Sequence, residues 1–361
     1  MRNGGIKTAL SLLLCASLLL CAIFGGERAG VFIATSLTFG EKYGLQSGAV
    51  GSIVAYEEEI YSVTGYGGGG YVNASVSITP TDIEALKKQA EALFENYTKA
   101  GDIKETHMGA TGKTLTYGVV EIDNKTSESI DIKSLLNKAV SFGEVTKDEP
   151  YILIYHTHTT EGYEMLELGW YAKEYNSRTK DTSKNMVRVG DELTRVLEEA
   201  GYSVIHDRSI YDTAYDGAYA RSRVSVEKYL EKYPSIKVTL DVHRDAIQYS
   251  DGTKCKPTAE INGKKAAQVM IISGCEGYGV ENFGSWAENL VFAAHLQSSA
   301  EESYPDLMRP VFFCNRKYNM DVTPCSLLLE FGTDANTLEE AVYSAELIGN
   351  ALARLLDENM N

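Results

Sequence analysis

The chain has 361 residues, 44% apolar and 23% charged, the balance of an ordinary globular protein. That composition excludes a collagen, a chain disordered throughout and a polytopic membrane protein. Fifty acidic residues against 34 basic ones leave a net charge of −16, a surface that repels phosphate backbones and argues against nucleic acid as a partner.

Chain order begins with a targeting signal. Arg2 and Lys7 precede the uncharged run 8–24 (TALSLLLCASLLLCAIF), which approaches the roughly 20 residues needed to cross a bilayer. Basic residues on its N-terminal side place the remainder of the chain outside the cytoplasm. A cleaved signal peptide is the competing reading, but Phe24-Gly25-Gly26-Glu27 offers no small-x-small cleavage site. Residues 1–29 are therefore expected to form a cytoplasmic tip and single-pass anchor, 30–148 a stalk with a small N-terminal module, and 149–361 a catalytic domain. Within the module, the spacing predicts a helix over 81–100 stopped by Gly101, a strand over 115–122 and a short helix over 130–139.

From Pro150 the pattern becomes strand–helix alternation. The run 151–155 (YILIY) reads as a buried parallel strand, followed by a helix over 184–200 and a strand over 202–206. Next come a helix over 218–233, a strand over 236–242, and an apparent hairpin bracketed by Asp251-Gly252 and Asn262-Gly263. A strand over 266–272, a helix over 282–303, strands at 311–314 and 326–331 and a helix over 338–357 complete the chain. The expected fold is α/β, a mixed, mainly parallel sheet with helices on both faces, which presents ligands at the carboxyl ends of its strands. Cys255, Cys275, Cys314 and Cys325 form no CxxC pair and read as buried thiols on strands, with a bridge such as Cys314–Cys325 as the alternative that spacing leaves open.

Those carboxyl ends carry the chemistry. YILIY is followed by His156-Thr157-His158-Thr159-Thr160-Glu161, strand 236–242 by His243-Arg244-Asp245, and the apolar run Ser326–Leu329 by Glu330. Two imidazoles and one carboxylate that leave a position for water are the donor set of a catalytic zinc site, which nominates His158, Glu161 and His243. His156 is either an alternative ligand to Glu161 or a support for the site from behind. Glu330 ends a strand of leucines, where a carboxylate without a partner is costly and so points to function. Arg244 either pairs with Asp245 or clamps a substrate carboxylate or developing oxyanion.

YILIYHTHTTEGY, LDVHRDA and LLLEFGTDANTLEEA resemble three signature blocks of the stage II sporulation protein P (SpoIIP) family, over roughly residues 121–356. The resemblance implies the fold of the zinc-dependent N-acetylmuramoyl-L-alanine amidases, in which a His after the first strand, a His after a later strand and a catalytic Glu near the C-terminus correspond to His158, His243 and Glu330. That wider group sets its zinc Glu at the start of the first helix. Here that place reads Ser183-Lys184-Asn185, leaving Glu161 as the carboxylate. The SpoIIP pattern also carries Gln where this chain has Met320. Implied further are Zn2+, removal of stem peptides from peptidoglycan during engulfment, endopeptidase action on cross-links, and two partners: a SpoIID-like lytic transglycosylase and a SpoIIM-like membrane protein. Two other readings compete: a zinc carboxypeptidase using Arg244 for a terminal carboxylate, and a non-catalytic wall-binding scaffold, for which Glu330 has no use.

Overall fold

In the computed structural model, which describes residues 81–360, α1 (Thr81–Phe94) leads into β1 (Lys99–Thr106), β2 (Leu115–Tyr117), β3 (Val120–Asn124), α2 (Ile132–Leu136) and β4 (Ile152–Tyr155). Then follow β5 (Trp170–Ala172), α3 (Met186–Glu199), β6 (Val204–His206), α4 (Ala218–Lys232), β7 (Val238–Asp245), β8 (Lys254–Ile261) and β9 (Lys264–Ala267). The chain closes with β10 (Val269–Gly274), α5 (Trp286–Ser303), β11 (Val311–Cys314), β12 (Cys325–Thr333) and α6 (Leu338–Glu358). Eight strands form one sheet in the order β2-β3-β11-β10-β12-β7-β4-β6, antiparallel at β2/β3 and β10/β12 and parallel elsewhere. This is the mixed, mainly parallel sheet expected. A smaller sheet has the order β5-β1-β8-β9.

Side-chain alternation splits the apolar residues of each central strand between two cores. Ile152 and Ile154 of β4 and Leu240 and Val242 of β7 join Val189, Leu193 and Leu197 of α3 and the inner faces of α5 and α6. Leu153 and Tyr155 face the other way, onto Val226 of α4. Helices therefore cover both faces. Asn185 starts α3 by accepting the Val187 N–H at 3.0 Å, and Thr337 and Glu340 form a capping box at α6.

The structure departs from the sequence expectations in four places. The first helix stops at Phe94, and residues 99–106 are drawn into β1 by pairing with β5 and β8 on its two sides. Gly101 makes that possible: a Cβ there would lie 2.7 Å from the Tyr171 ring of β5. The single strand over 266–272 is two strands, because Gln268 turns aside, accepting from Met108 N at 2.6 Å and donating to Asp306 O at 3.0 Å. Strand 115–122 is the hairpin β2–β3, and β3 pairs in parallel with β11, so part of the segment assigned to a separate N-terminal module is the edge of the main sheet. The bracketed hairpin is β8–β9, turned by Asn262 and Gly263, both at positive φ. All four cysteines 255, 275, 314 and 325 are free and buried, as expected. The run 8–24 and its anchor assignment lie outside the described residues, among which no helix is long and apolar enough to cross a membrane.

Candidate active site

The parallel register of β12 with β7 sets Glu330 beside His243 and Leu328 beside Asp241. With period 2 these four side chains share the face covered by α4, at the carboxyl ends of the two strands. His158 and Glu161 arrive from the turn after β4. That turn is fixed by its threonines: Thr157 donates to Asp241 from N (2.8 Å) and Oγ1 (2.7 Å), Thr159 Oγ1 to His156 O (2.7 Å), and Thr160 to Asp212 from N (3.0 Å) and Oγ1 (2.6 Å). Glu161 N donates to His158 O at 3.0 Å, closing the turn that sets residues i and i+3 side by side. His158, Glu161, His243, Arg244 and Glu330 all line one cavity of about 320 Å³.

His156 does not join them. Strand parity sends it with Ile152 and Ile154 to the α3 side of the sheet. There Nδ1 lies 2.9 Å from Val242 O and Nε2 2.9 Å from His206 Nε2. Its ligand role is thereby excluded, while its hold on the carbonyl preceding His243 is that of a support. Of the two alternatives for Arg244, the ion pair with Asp245 is not formed. Nε donates to Gly162 O at 3.0 Å, and Asp245 pairs instead with Arg309 NH1 at 3.0 Å.

Electrostatics single out the cavity. Burial pushes the Glu330 carboxyl up to about 8, with His243 opposing. Burial would also raise Glu161, but the hydrogen-bonding and charge of His243, together with Arg244, hold it down to about 2. Burial and the adjacent His243 lower His158, leaving a neutral imidazole. His243 is pulled down by burial yet held well above its ordinary value by Asp241 and Glu161, an arrangement of carboxylates that favours a cation at this spot.

The donor types gathered here are those of a zinc site. His158 Nδ1, His243 Nε2 and Glu330 Oε2 are buried without a hydrogen-bond partner. His243 Nε2 sits 2.7 Å from Asp241 Oδ1 without the alignment of a hydrogen bond, and His243 Nδ1 is 3.5 Å from Glu161 Oε2. Zn–N and Zn–O bonds of about 2.0–2.2 Å in a tetrahedron imply ligand–ligand edges of about 3.3–3.6 Å, a range that holds the one His243 Nδ1–Glu161 Oε2 edge at 3.5 Å. Among the described residues no group of three or more His, Cys, Asp or Glu side chains is placed so that it could hold a metal ion. The unpartnered His158 Nδ1 and the Glu161 carboxylate beside His243 Nδ1 are nonetheless donors of the kind a divalent cation takes.

Several residues of the cavity carry little or no mark in the sequence. Arg178 binds Glu161 Oε1 and Asp212 Oδ2, both at 3.0 Å, and so aims the carboxylate. Asp241 was legible, lying two residues before His243 on the same strand face. Three tyrosines line the cavity: Tyr215 stacks on His158 (4.5 Å between centroids), and Tyr219 stacks on Tyr318 (5.0 Å). Nothing in their spacing marks them. A larger cleft of about 730 Å³ lies under α1, but its charges are largely paired, as in Lys87–Glu339 and Arg195–Glu192, and it holds no histidine.

The sequence profile of the stage II sporulation protein P family matches residues 73–353. The chain belongs to this family. It is 31% identical over 227 residues to stage II sporulation protein P of Bacillus subtilis (strain 168), 60% of this chain and 52% of that relative, so the match spans about half the relative's length. Among solved structures, similarity is found to the N-acetylmuramoyl-L-alanine amidase AmiC2 of Nostoc punctiforme (13% identity, TM-score 0.36, 60% of this chain and 99% of that one). It is found also to the CwlD amidase of Clostridioides difficile in complex with the GerS lipoprotein (11% identity, TM-score 0.35, 58% and 97%).

Proposed function

We propose that this family member is a zinc-dependent peptidoglycan hydrolase of sporulation, an N-acetylmuramoyl-L-alanine amidase with endopeptidase action on cross-links. The observation that carries the reading is the meeting of His158, Glu161, His243 and Glu330 in one cavity with three buried polar atoms unpartnered. His158, Glu161 and His243 would hold the zinc, which when bound supplies a Lewis acid for the scissile carbonyl and acidifies water. Asp241 steadies His243, and Arg178 steadies Glu161. Glu330 takes the water proton and delivers it to the amide nitrogen, since an amine leaves only once protonated. Its carboxyl is buried near the end of β12 beside His243, within the same cavity as the proposed ligands.

The commitment of Arg244 to Gly162 O and its weaker contact with Ser177 Oγ (3.4 Å) favours an amidase over a carboxypeptidase, because a carboxylate clamp needs an uncommitted guanidinium. The proposal includes an N-terminal single-pass anchor in residues 1–29, an extracytoplasmic catalytic domain over 149–361 completed by the edge hairpin β2–β3, and SpoIID-like and SpoIIM-like partners at the engulfing membrane. Mass spectrometry of muropeptides after incubating sacculi with the zinc-supplemented protein tests the reaction. Whole stem peptides and cut cross-links are expected; single released amino acids would favour the carboxypeptidase, and unchanged sacculi the scaffold.

A further inference from the structure

We infer that Tyr219 is a catalytic residue, the hydrogen-bond donor to the oxyanion that forms as the scissile carbonyl is attacked. This rests on the amide-hydrolase reading above and extends it to a residue which that reading leaves unused. Tyr219 lies in the first turn of α4 and projects into the cavity of His158, His243 and Glu330. Its ring meets His158 edge-on at 5.5 Å and lies nearly parallel to His243 at 6.4 Å. Tyr219 thus lines the same cavity as Glu161, Glu330 and the two imidazoles. No hydrogen bond engages it among the described residues, so the fold makes no use of it.

Two of the other donors lining the cavity are engaged elsewhere. Arg178 is divided between Glu161 and Asp212, and Arg244 Nε is given to Gly162 O. Tyr215 stands at the lip, 64% exposed. The backing of Tyr219 is built under strain. Tyr318 (φ +42°) and Asn319 (φ +56°) are consecutive left-handed residues without being glycine, a costly conformation that persists where the surroundings impose it. Tyr318 stacks on the Tyr219 ring, while Asn319 Nδ2 donates to Tyr219 O at 2.9 Å and Ser222 Oγ at 3.1 Å. A donor held this firmly costs little reorganisation when charge develops.

In the step itself, water oxygen bonds to the carbonyl carbon and the C=O π pair moves onto oxygen. Glu330 takes the water proton, and Tyr219 donates a hydrogen bond to the new oxyanion without giving up its proton. The pair then returns to reform C=O, the C–N bond breaks, and the proton on Glu330 passes to the leaving nitrogen.

The test is Tyr219→Phe in the full zinc-loaded chain, assayed on a soluble glycan–peptide fragment and titrated calorimetrically with a phosphinate mimic of the tetrahedral species. Turnover is expected to fall about 10²- to 10³-fold, the effect of deleting one oxyanion donor, with KM little changed. Phosphinate affinity should weaken in proportion while product affinity, zinc content and melting temperature hold. Wild-type turnover in the variant, a change in KM alone, or a lower melting temperature would overturn the assignment and leave the hydrolase reading standing. An inactive zinc-loaded wild type would overturn both.

Discussion

His156 and His158 are two residues apart and serve opposite sides of the sheet. The first is sealed between β4, β7 and α3, with both ring nitrogens engaged; the second opens on the cavity with Nδ1 unpartnered. Their alanine variants should therefore fail differently. His158→Ala and His243→Ala should lose most bound zinc while keeping the fold. His156→Ala should keep zinc but lose about 2–3 kcal/mol of stability, because a buried carbonyl and His206 are left without their partner. Elemental analysis and urea melts on the three variants read this directly; a zinc-free His156→Ala protein beside a zinc-replete His158→Ala protein would reverse the ligand assignment. The parity that separates the two histidines was present in YILIYHTH, where alternate residues of a central strand face alternate cores. Its force appears only once both faces are known to be covered. The Arg244 contacts had no such signal, since Gly162 and Ser177 reach it through folding alone.

At the scale of elements, the site is a junction of two strand tips with one turn, and the turn depends on Gly162. A Cβ there would lie 2.6 Å from Ser177 O and 2.9 Å from Lys184 O, backbone atoms with nowhere to yield. Gly162→Ala should therefore shift Glu161, cost about 1–3 kcal/mol, and weaken zinc binding at least about tenfold. Competition with a zinc chelator measures the affinity; an unchanged constant would mean that the carboxylate is not positioned by this turn. Elements with strong local patterns were readable, among them β4 with its unbroken apolar run, and β11 and α6 with clear boundaries. Strand β1 was not, because KAGDIKET is polar and half-exposed and becomes a strand only through its two partners. The register that pairs Glu330 with His243 is likewise a tertiary fact, which sequence could suggest only by setting both residues at strand ends.

The whole molecule carries a net charge of −16, and some of its carboxylates are buried where they resist ionisation. Glu164 ties the active-site turn to the start of α6 through its backbone, donating to Asn336 O at 3.0 Å and accepting from Leu338 N at 3.1 Å. Burial pushes its carboxyl up to about 7 from an ordinary 4.5, against the pull of Lys254. Between those values the folded chain holds a proton that the unfolded chain has released. Stability accordingly falls as pH rises from 4.5 to 7 and is flat in this respect above. Glu164→Gln should abolish that slope and gain up to about 3 kcal/mol at pH 7 and above. Urea denaturation of both proteins at pH 5, 6, 7 and 8 tests it; parallel stability curves would contradict the assignment.

The fold delivers His158, Glu161, His243 and Glu330 to a single cavity, and the roles proposed for them separate in one variant. Glu330→Gln preserves shape and removes the titrating oxygen. With the full chain loaded with zinc, turnover on a soluble glycan–peptide fragment should drop about 10²- to 10⁴-fold, the contribution of a positioned general acid–base, while zinc stoichiometry stays at the wild-type value. Wild-type turnover in that variant, or loss of zinc together with activity, would contradict the division of labour between His158, Glu161 and His243 on one side and Glu330 on the other.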